Sequence, residues 1–459
     1  MGKSYEEKFA DFAVETEYSD IPVEVRRHAK LILADTLAVI IRGYRTPYVR
    51  RLARRMSQKD GESSLVSTSL KSSAPHAAFM NSSAGTVLEL DEGSRVSGSH
   101  MSVQGFPAAL AVGQQHDIGG EELARSFLIG YEVGSRVGGA VKPLRAGLHT
   151  HGTWAAVGAA VAATLAAPGA RRPHIVNSMR IAANMSHSTS WNSAFEGALL
   201  RNFYAGFASM SGVLSSIMAR GGITGPRDAL AVSLAPSVSS TSHLNGDPTS
   251  GLGTEYLLQK NYFKLHACCG YAHAVVEAIG RMGLPAPSKV EKVSVRTFTE
   301  ASALANASPE NALAAKFSIP YLVSNLLLGR PPHVETFDEE WIRSGRWRNL
   351  ARRVEVLPSR RFDRRLPTEW GASVEISLKD GCVQRAECAN PRGDWRDPLS
   401  SAELKEKFRG LLEGVFDAEF VNGLWSKLGE LEKVSSVNDL LARMETSVTD
   451  SYYRAPTEE

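Results

Sequence analysis

Residues Thr153–Gly169 read TWAAVGAAVAATLAAPG, the most apolar stretch of a 459-residue chain. It falls short of the roughly 20 apolar residues a membrane span requires, and it is built from alanine where a span would use leucine. A helix that is apolar on every side must be enclosed by others. Alanine and glycine let the axes of those neighbours come close. The stretch therefore predicts the central helix of a layered bundle.

The flanking sequence supplies the neighbours. Helical spacing of apolar residues marks Pro75–Leu88, Phe106–Gln115, Glu121–Val141, Pro173–Met185 and Phe207–Ala219. Upstream, Asp20-Ile21-Pro22 reads as a cap followed by a first-turn proline, opening VEVRRHAKLILADTLAVIIRG. The character changes near Asn261. Lys289–Phe298 and Arg352–Pro358 alternate like half-buried strands, and Ala372–Cys388 reads as two strands around Asp380-Gly381, a type I′ hairpin signal. Helices are expected between them at His273–Met282 and Asn311–Leu328. After Asp397 the chain returns to helix, while Val232–Gly253 reads as a long serine-rich loop. The predicted fold is mainly α: a large all-helical domain built from both chain ends, 1–262 and 398–459, with an inserted α+β lid domain at 263–397.

Composition narrows the function. Hydrophobic residues make up 43% and charged residues 22%, as in ordinary globular proteins. A net charge of +3 leaves no nucleic-acid footprint. The charged N-terminus lacks an apolar signal core, so a cytoplasmic location and no membrane association are expected. Four cysteines without a C-x-x-C pair suggest neither a zinc ribbon nor a disulfide framework. No dinucleotide fingerprint, phosphate loop, G-x-S-x-G elbow or H-E-x-x-H occurs. Chemistry here must rest on side chains alone.

The side chains that could carry it gather at breaks before helices. LELDEGSRVSGSHMS (Leu88–Ser102) places Glu89, Asp91 and Glu92 ahead of His100. AGLHTHGTW holds His149 and His151, GALLRNFYAG holds Arg201 and Tyr204, NYFKLHACCG holds Lys264, His266 and Cys269, and AAKFSIPYLV holds Tyr321. Helix N-termini attract anions, and Arg or Lys beside them makes a carboxylate-binding corner. Histidine adds a group that moves protons near neutral pH. The set suits a polycarboxylate undergoing proton transfer. The plainer readings are a solvated acidic turn, capping histidines, a structural Arg201 ion pair, buried apolar cysteines and a core Tyr321. Asp91 with His149 and His151 is the one candidate metal set, although a loop before a helix is a poor frame for it.

Taken in order, these stretches resemble the MmgE/PrpD family, which includes 2-methylcitrate dehydratases, cis-aconitate decarboxylases and iminodisuccinate epimerases. FMNSSAGTVLELDEGSRVSGSHMS, FPAALAVG, GYEVGSR, GLHTHGTWAAVGAAVAA, NFYAGFASMSGVLSSIMARGGITGP, YFKLHACCGYAH and FSIPY match family segments over nearly the whole chain. The resemblance implies a helical domain with an α+β lid, a homodimer, a site in the cleft between domains, and no metal or organic cofactor. It implies site roles for His100, His149, Lys264 and Tyr321, with Asp91 as the middle acid and Glu89 in place of a functional aspartate. The departures are Thr86 for a histidine, Glu92 for the last acid, Met101 for a proline, Arg201 for a lysine, Tyr204 for a histidine and Cys269 for a further histidine.

The expected activity is that of a cofactor-independent lyase on a small di- or tricarboxylate, 2-methylcitrate dehydratase-like. His149 and His100 serve as base and acid, and Glu89 and Asp91 fix a histidine tautomer or bind a hydroxyl. Tyr321 orients the substrate or donates a proton, while Arg201, Tyr204, Lys264, His266, Cys269 and His151 bind it. Epimerisation of a dicarboxylate such as iminodisuccinate ranks next, then decarboxylation of a cis-aconitate type of acid. A metal-dependent hydrolase and a non-catalytic scaffold rank last.

Overall fold

The computed structural model describes residues 2–187 and 189–447 of the chain. The protein is mainly α-helical. The alanine stretch forms the helix Ala155–Leu165, whose residues Ala155 to Thr164 are all buried. It packs against Met101–His116, Gly120–Ala140, Arg172–Asn184 and Tyr204–Arg220, a ring of helices around one central axis. Small residues make this possible. A Cβ on Gly158 would stand 2.5 Å from the carbonyl oxygen of Gly130, and one on Gly212 2.5 Å from Ala159 Cβ. Backbones meet where larger side chains would hold them apart.

The long helix opened by Pro22 spans Val23–Gly43. Pro22 is its N-cap and not its first residue, and Asp20 caps the preceding turn by accepting the Glu17 N–H at 3.0 Å. From the other end of the chain, Ser401–Leu412 and Ala418–Gly429 pack on this helix, and Val437–Ser447 packs on Met101–His116. Residues 448–459, the tail of the C-terminal stretch, lie outside the described residues.

Between these helices the chain builds a four-stranded sheet in the order Val354–Pro358, Val290–Thr297, Ala372–Leu378, Val383–Cys388. The first two strands are parallel and the other pairings antiparallel. Ala372–Leu378 alternates buried and half-buried along its length, as a strand covered on one face should. The hairpin is not type I′. Only Gly381 has positive φ, +86°, and the Leu378 N–H bonds to the Cys382 carbonyl. Three residues thus close the turn, with glycine taking the left-handed position of a bulge. The expected helix Asn311–Leu328 is broken into Ala312–Lys316 and Ile319–Leu327, where Ser318 caps a new start ahead of Pro320. The serine-rich segment begins with helical turns over residues 230–238 and only then becomes loop. Among the described residues, no helix is long and apolar enough to cross a membrane.

Candidate active site

A narrow cleft of about 30 Å³ opens where the helical half meets the sheet-bearing half. Glu89, His100, His149, His151 and Arg201 line it from one side, and Lys264, Cys269, Tyr271, Phe317 and Trp370 from the other.

The acid wall follows the end of helix Ala74–Thr86. Glu89 turns the chain in the left-handed region, φ +56°, a conformation that costs a non-glycine residue about 1 kcal/mol or more and needs compensation. The compensation is electrostatic. Glu89 is ion-paired with Arg201 and lies 3.2 Å from Lys264 Nζ, with all three side chains buried. Lys264 also lies 3.4 Å from Asp91. Two residues on, Asp91 Oδ2 is 2.7 Å from His100 Nδ1. Burial pushes the Asp91 carboxyl up, but His100 and Lys264 outweigh it and hold it well below the usual carboxylate range. Burial works against charge on Lys264 as well, and Asp91 and Glu89 reverse it, leaving the ammonium above its ordinary pKa.

The segment is braced from behind. Lys407, on the C-terminal helix Ser401–Leu412, donates to the Leu90 carbonyl at 3.0 Å and pairs with buried Asp35 at 2.6 Å. In front, Gly93-Ser94 pairs with Asn261-Tyr262, which fixes the distance from the acids to Lys264. Arg95 ties the turn to the other half of the molecule, 2.8 Å from Asp394, bonded to Asn390 at 2.9 Å and over the Trp370 ring.

The histidines form a contiguous wall. His100 and His151 ring centroids are 4.5 Å apart, and those of His151 and His149 are 4.9 Å apart. His149 Nδ1 accepts the backbone N–H of His151 at 3.0 Å, so a neutral His149 carries its proton on Nε2. Burial, reinforced by Arg201 and His100, keeps His149 and His151 well below their ordinary pKa and hence neutral. The Thr189 hydroxyl bonds the carbonyls of both, at 2.9 and 2.7 Å, and holds the loop in place. His100 Nε2 lies 3.5 Å from the Tyr262 hydroxyl. Asp91, His100 and His151 could also present one ligand atom each to a metal, with all three atoms within 4.8 Å of one another. His149 is not part of that trio, so the metal set expected from sequence changes one member.

The remaining candidates divide. Cys269 lines the cleft, and burial pushes its thiol up to about 11, making it a neutral wall residue at pH 7. Four expected site residues do not line it: Asp91 stands behind His100, and Tyr321, His266 and Tyr204 pack elsewhere. Tyr321 lies in the core against Phe337 and Trp347, its hydroxyl bonded to the Thr336 carbonyl at 3.3 Å. His266 faces Glu277 at 3.1 Å and His273 beyond it. Tyr204 packs behind His149 and shares a hydrogen bond with Ser193 at 2.7 Å. Thr86 donates to the Asn202 carbonyl at 2.7 Å and so steadies the turn that carries Arg201. Sequence reasoning missed Trp191, Tyr262, Tyr271, Phe317 and Trp370 as cleft residues, and Lys407 as the brace; single aromatics and a surface-type lysine carry no local signal of either role.

The N-terminal domain of the MmgE/PrpD family matches residues 7–234, and its C-terminal domain matches residues 266–422. The cis-aconitate decarboxylase-like protein oryM of Aspergillus oryzae is 24% identical over 475 aligned positions, covering 95% of this chain and 96% of that protein. The cis-aconitate decarboxylase of Aspergillus terreus is 24% identical over 455 positions, covering 92% of each.

Proposed function

The chain belongs to the MmgE/PrpD family, and on that premise we propose that it is a cofactor-independent lyase acting on a small di- or tricarboxylic acid, with dehydration as its reaction. The observation that carries this reading is the contiguous histidine wall beside the paired cations. Arg201 and Lys264 hold a substrate carboxylate. His100, backed by Asp91, takes the proton from the neighbouring carbon on Nε2. The electron pair moves onto the carboxylate, whose second negative charge the two cations stabilise. The His100 imidazolium then gives that proton to the departing hydroxyl, to which the neutral His149 Nε2–H donates a hydrogen bond, and water leaves while the carbon–carbon double bond forms. Two histidines side by side serve one face of a substrate, which favours syn elimination over the two-face proton exchange of an epimerase.

Decarboxylation is the second reading, favoured by the names of the two fungal relatives. It would use the same cation pair to hold the electrons released with carbon dioxide, and a histidine would return a proton to carbon. In both readings residues 263–397 act as a lid over the helical part, and the protein works as a cytoplasmic homodimer.

Proton NMR in D₂O with chelator present tests the assignment, using the hydroxy dicarboxylates malate and 3-phenylmalate and then 2-methylcitrate, citrate, cis-aconitate and iminodisuccinate in turn. New vinylic signals are the expected result. Loss of carbon dioxide would move the assignment to decarboxylase, and deuterium wash-in with inversion to epimerase. Absence of turnover and exchange with every carboxylic acid would overturn the proton-transfer reading itself.

A further inference from the structure

The cleft's charges are already balanced. Arg201 and Lys264 contribute two positive charges, and Glu89 and Asp91 two negative charges, in one buried cluster. The next cations are committed elsewhere: Lys316 Nζ donates to the Val87 carbonyl at 2.8 Å, and Arg95 lies 2.8 Å from Asp394. Three substrate carboxylates would bring three negative charges to a cation pair that two buried carboxylates already match. Each unmatched carboxylate taken out of water costs several kcal/mol.

The other lining is aromatic and already in place. Trp191 stacks on Tyr271 at 5.7 Å and 26°, and meets Phe317 edge-on at 6.2 Å. Trp370 stands against Tyr271 at 4.9 Å and 87°. The Arg201 guanidinium lies over Phe317 at 4.9 Å, so the cationic end of the cleft runs directly into this wall. Rings fixed by their neighbours lose little freedom when a flat group is laid on them.

Resting on the carboxylate reading above and narrowing it, we propose that the substrate carries at most two carboxylates together with a flat apolar or aromatic arm, the carboxylate end meeting Arg201 and Lys264 and the arm lying along Trp191, Tyr271, Phe317 and Trp370.

Titration calorimetry of the full-length protein with succinate, benzylsuccinate and tricarballylate tests this. Benzylsuccinate is expected to bind about tenfold tighter than succinate or better, and tricarballylate no tighter than succinate. In Trp191→Leu the benzylsuccinate advantage should disappear while succinate affinity stays; Trp370→Ala is the second variant, with the same expectation, should the first not fold. Tricarballylate binding tightest, or an aryl advantage untouched by both variants, would overturn the proposal and leave the proton-transfer reading standing. Binding of none of the three acids would overturn both.

Discussion

Glu89→Gln isolates one buried charge without changing the size of the side chain. Glu89 is 1% exposed, paired with Arg201 and 3.2 Å from Lys264 Nζ. Removing its charge leaves both cations with Asp91 alone, which is 3.4 Å from Lys264. Breaking a buried pair costs about 3–5 kcal/mol, and the lower end applies because Lys264 keeps one partner and Arg201 keeps the Phe317 ring. Affinity for anions moves the other way. A ligand carboxylate held by Arg201 and Lys264 would sit about 6 Å from the Glu89 carboxylate, and at an effective dielectric of about 20 their repulsion is about 3 kcal/mol. That corresponds to about a hundredfold in Kd. The variant should therefore be less stable to urea and yet bind tricarballylate at least about tenfold more tightly by calorimetry. Equal affinities in the two proteins would show that Glu89 does not oppose the ligand, and the charge balance assigned to the cleft would be wrong.

Other outcomes follow from the same geometry. His149→Ala should abolish turnover, read as vinylic product by NMR, while leaving the circular dichroism spectrum unchanged; near-normal turnover would remove His149 from the mechanism. Lys407→Met should cost about 3–5 kcal/mol in urea unfolding by stranding Asp35, and Asp35→Asn in the same chain should recover much of that loss. Burial raises the Glu92 carboxyl to about 7, with Tyr131 donating to it at 2.5 Å. Because the folded form holds that proton more tightly than the unfolded form, the stability it confers is complete below about pH 4.3 and is lost as pH rises through 7. Glu92→Gln should flatten the fall in stability between pH 5 and 8, and an unchanged slope would place the titration elsewhere. Added zinc should inhibit through Asp91, His100 and His151 and be reversed by chelator, whereas loss of the basal activity on chelation would mark a metal enzyme.

The helical frame was legible because its signal is local. An all-apolar alanine stretch can only be enclosed, and Ala155–Leu165 is. The histidines and acids before helix starts were legible for the same reason, since loop-to-helix junctions announce themselves by glycine and polar runs. What was not legible is what tertiary contact decides. Glu89 at φ +56° looks like any glutamate in the sequence, and Lys407 lies 317 residues from the Leu90 carbonyl it holds. Tyr321 follows Phe317 by four residues, but the capped turn at Ser318 separates them, sending Phe317 to the cleft and Tyr321 into the core. The hairpin misreading has a similar origin, because Asp-Gly serves both a two-residue and a three-residue turn.

Arg95 links recognition to readiness. It stands four residues past Asp91 and five before His100, and its guanidinium is held by Asp394, Asn390 and the Trp370 ring. Any movement that widens the cleft on the Trp370 side must break this knot or drag the turn with it. Dragging the turn separates Asp91 from His100, so a gaping molecule would be a poor base. An acid too large for the mouth to shut behind it could thus be admitted and still go unreacted, a filter that acts after entry and needs no steric gate.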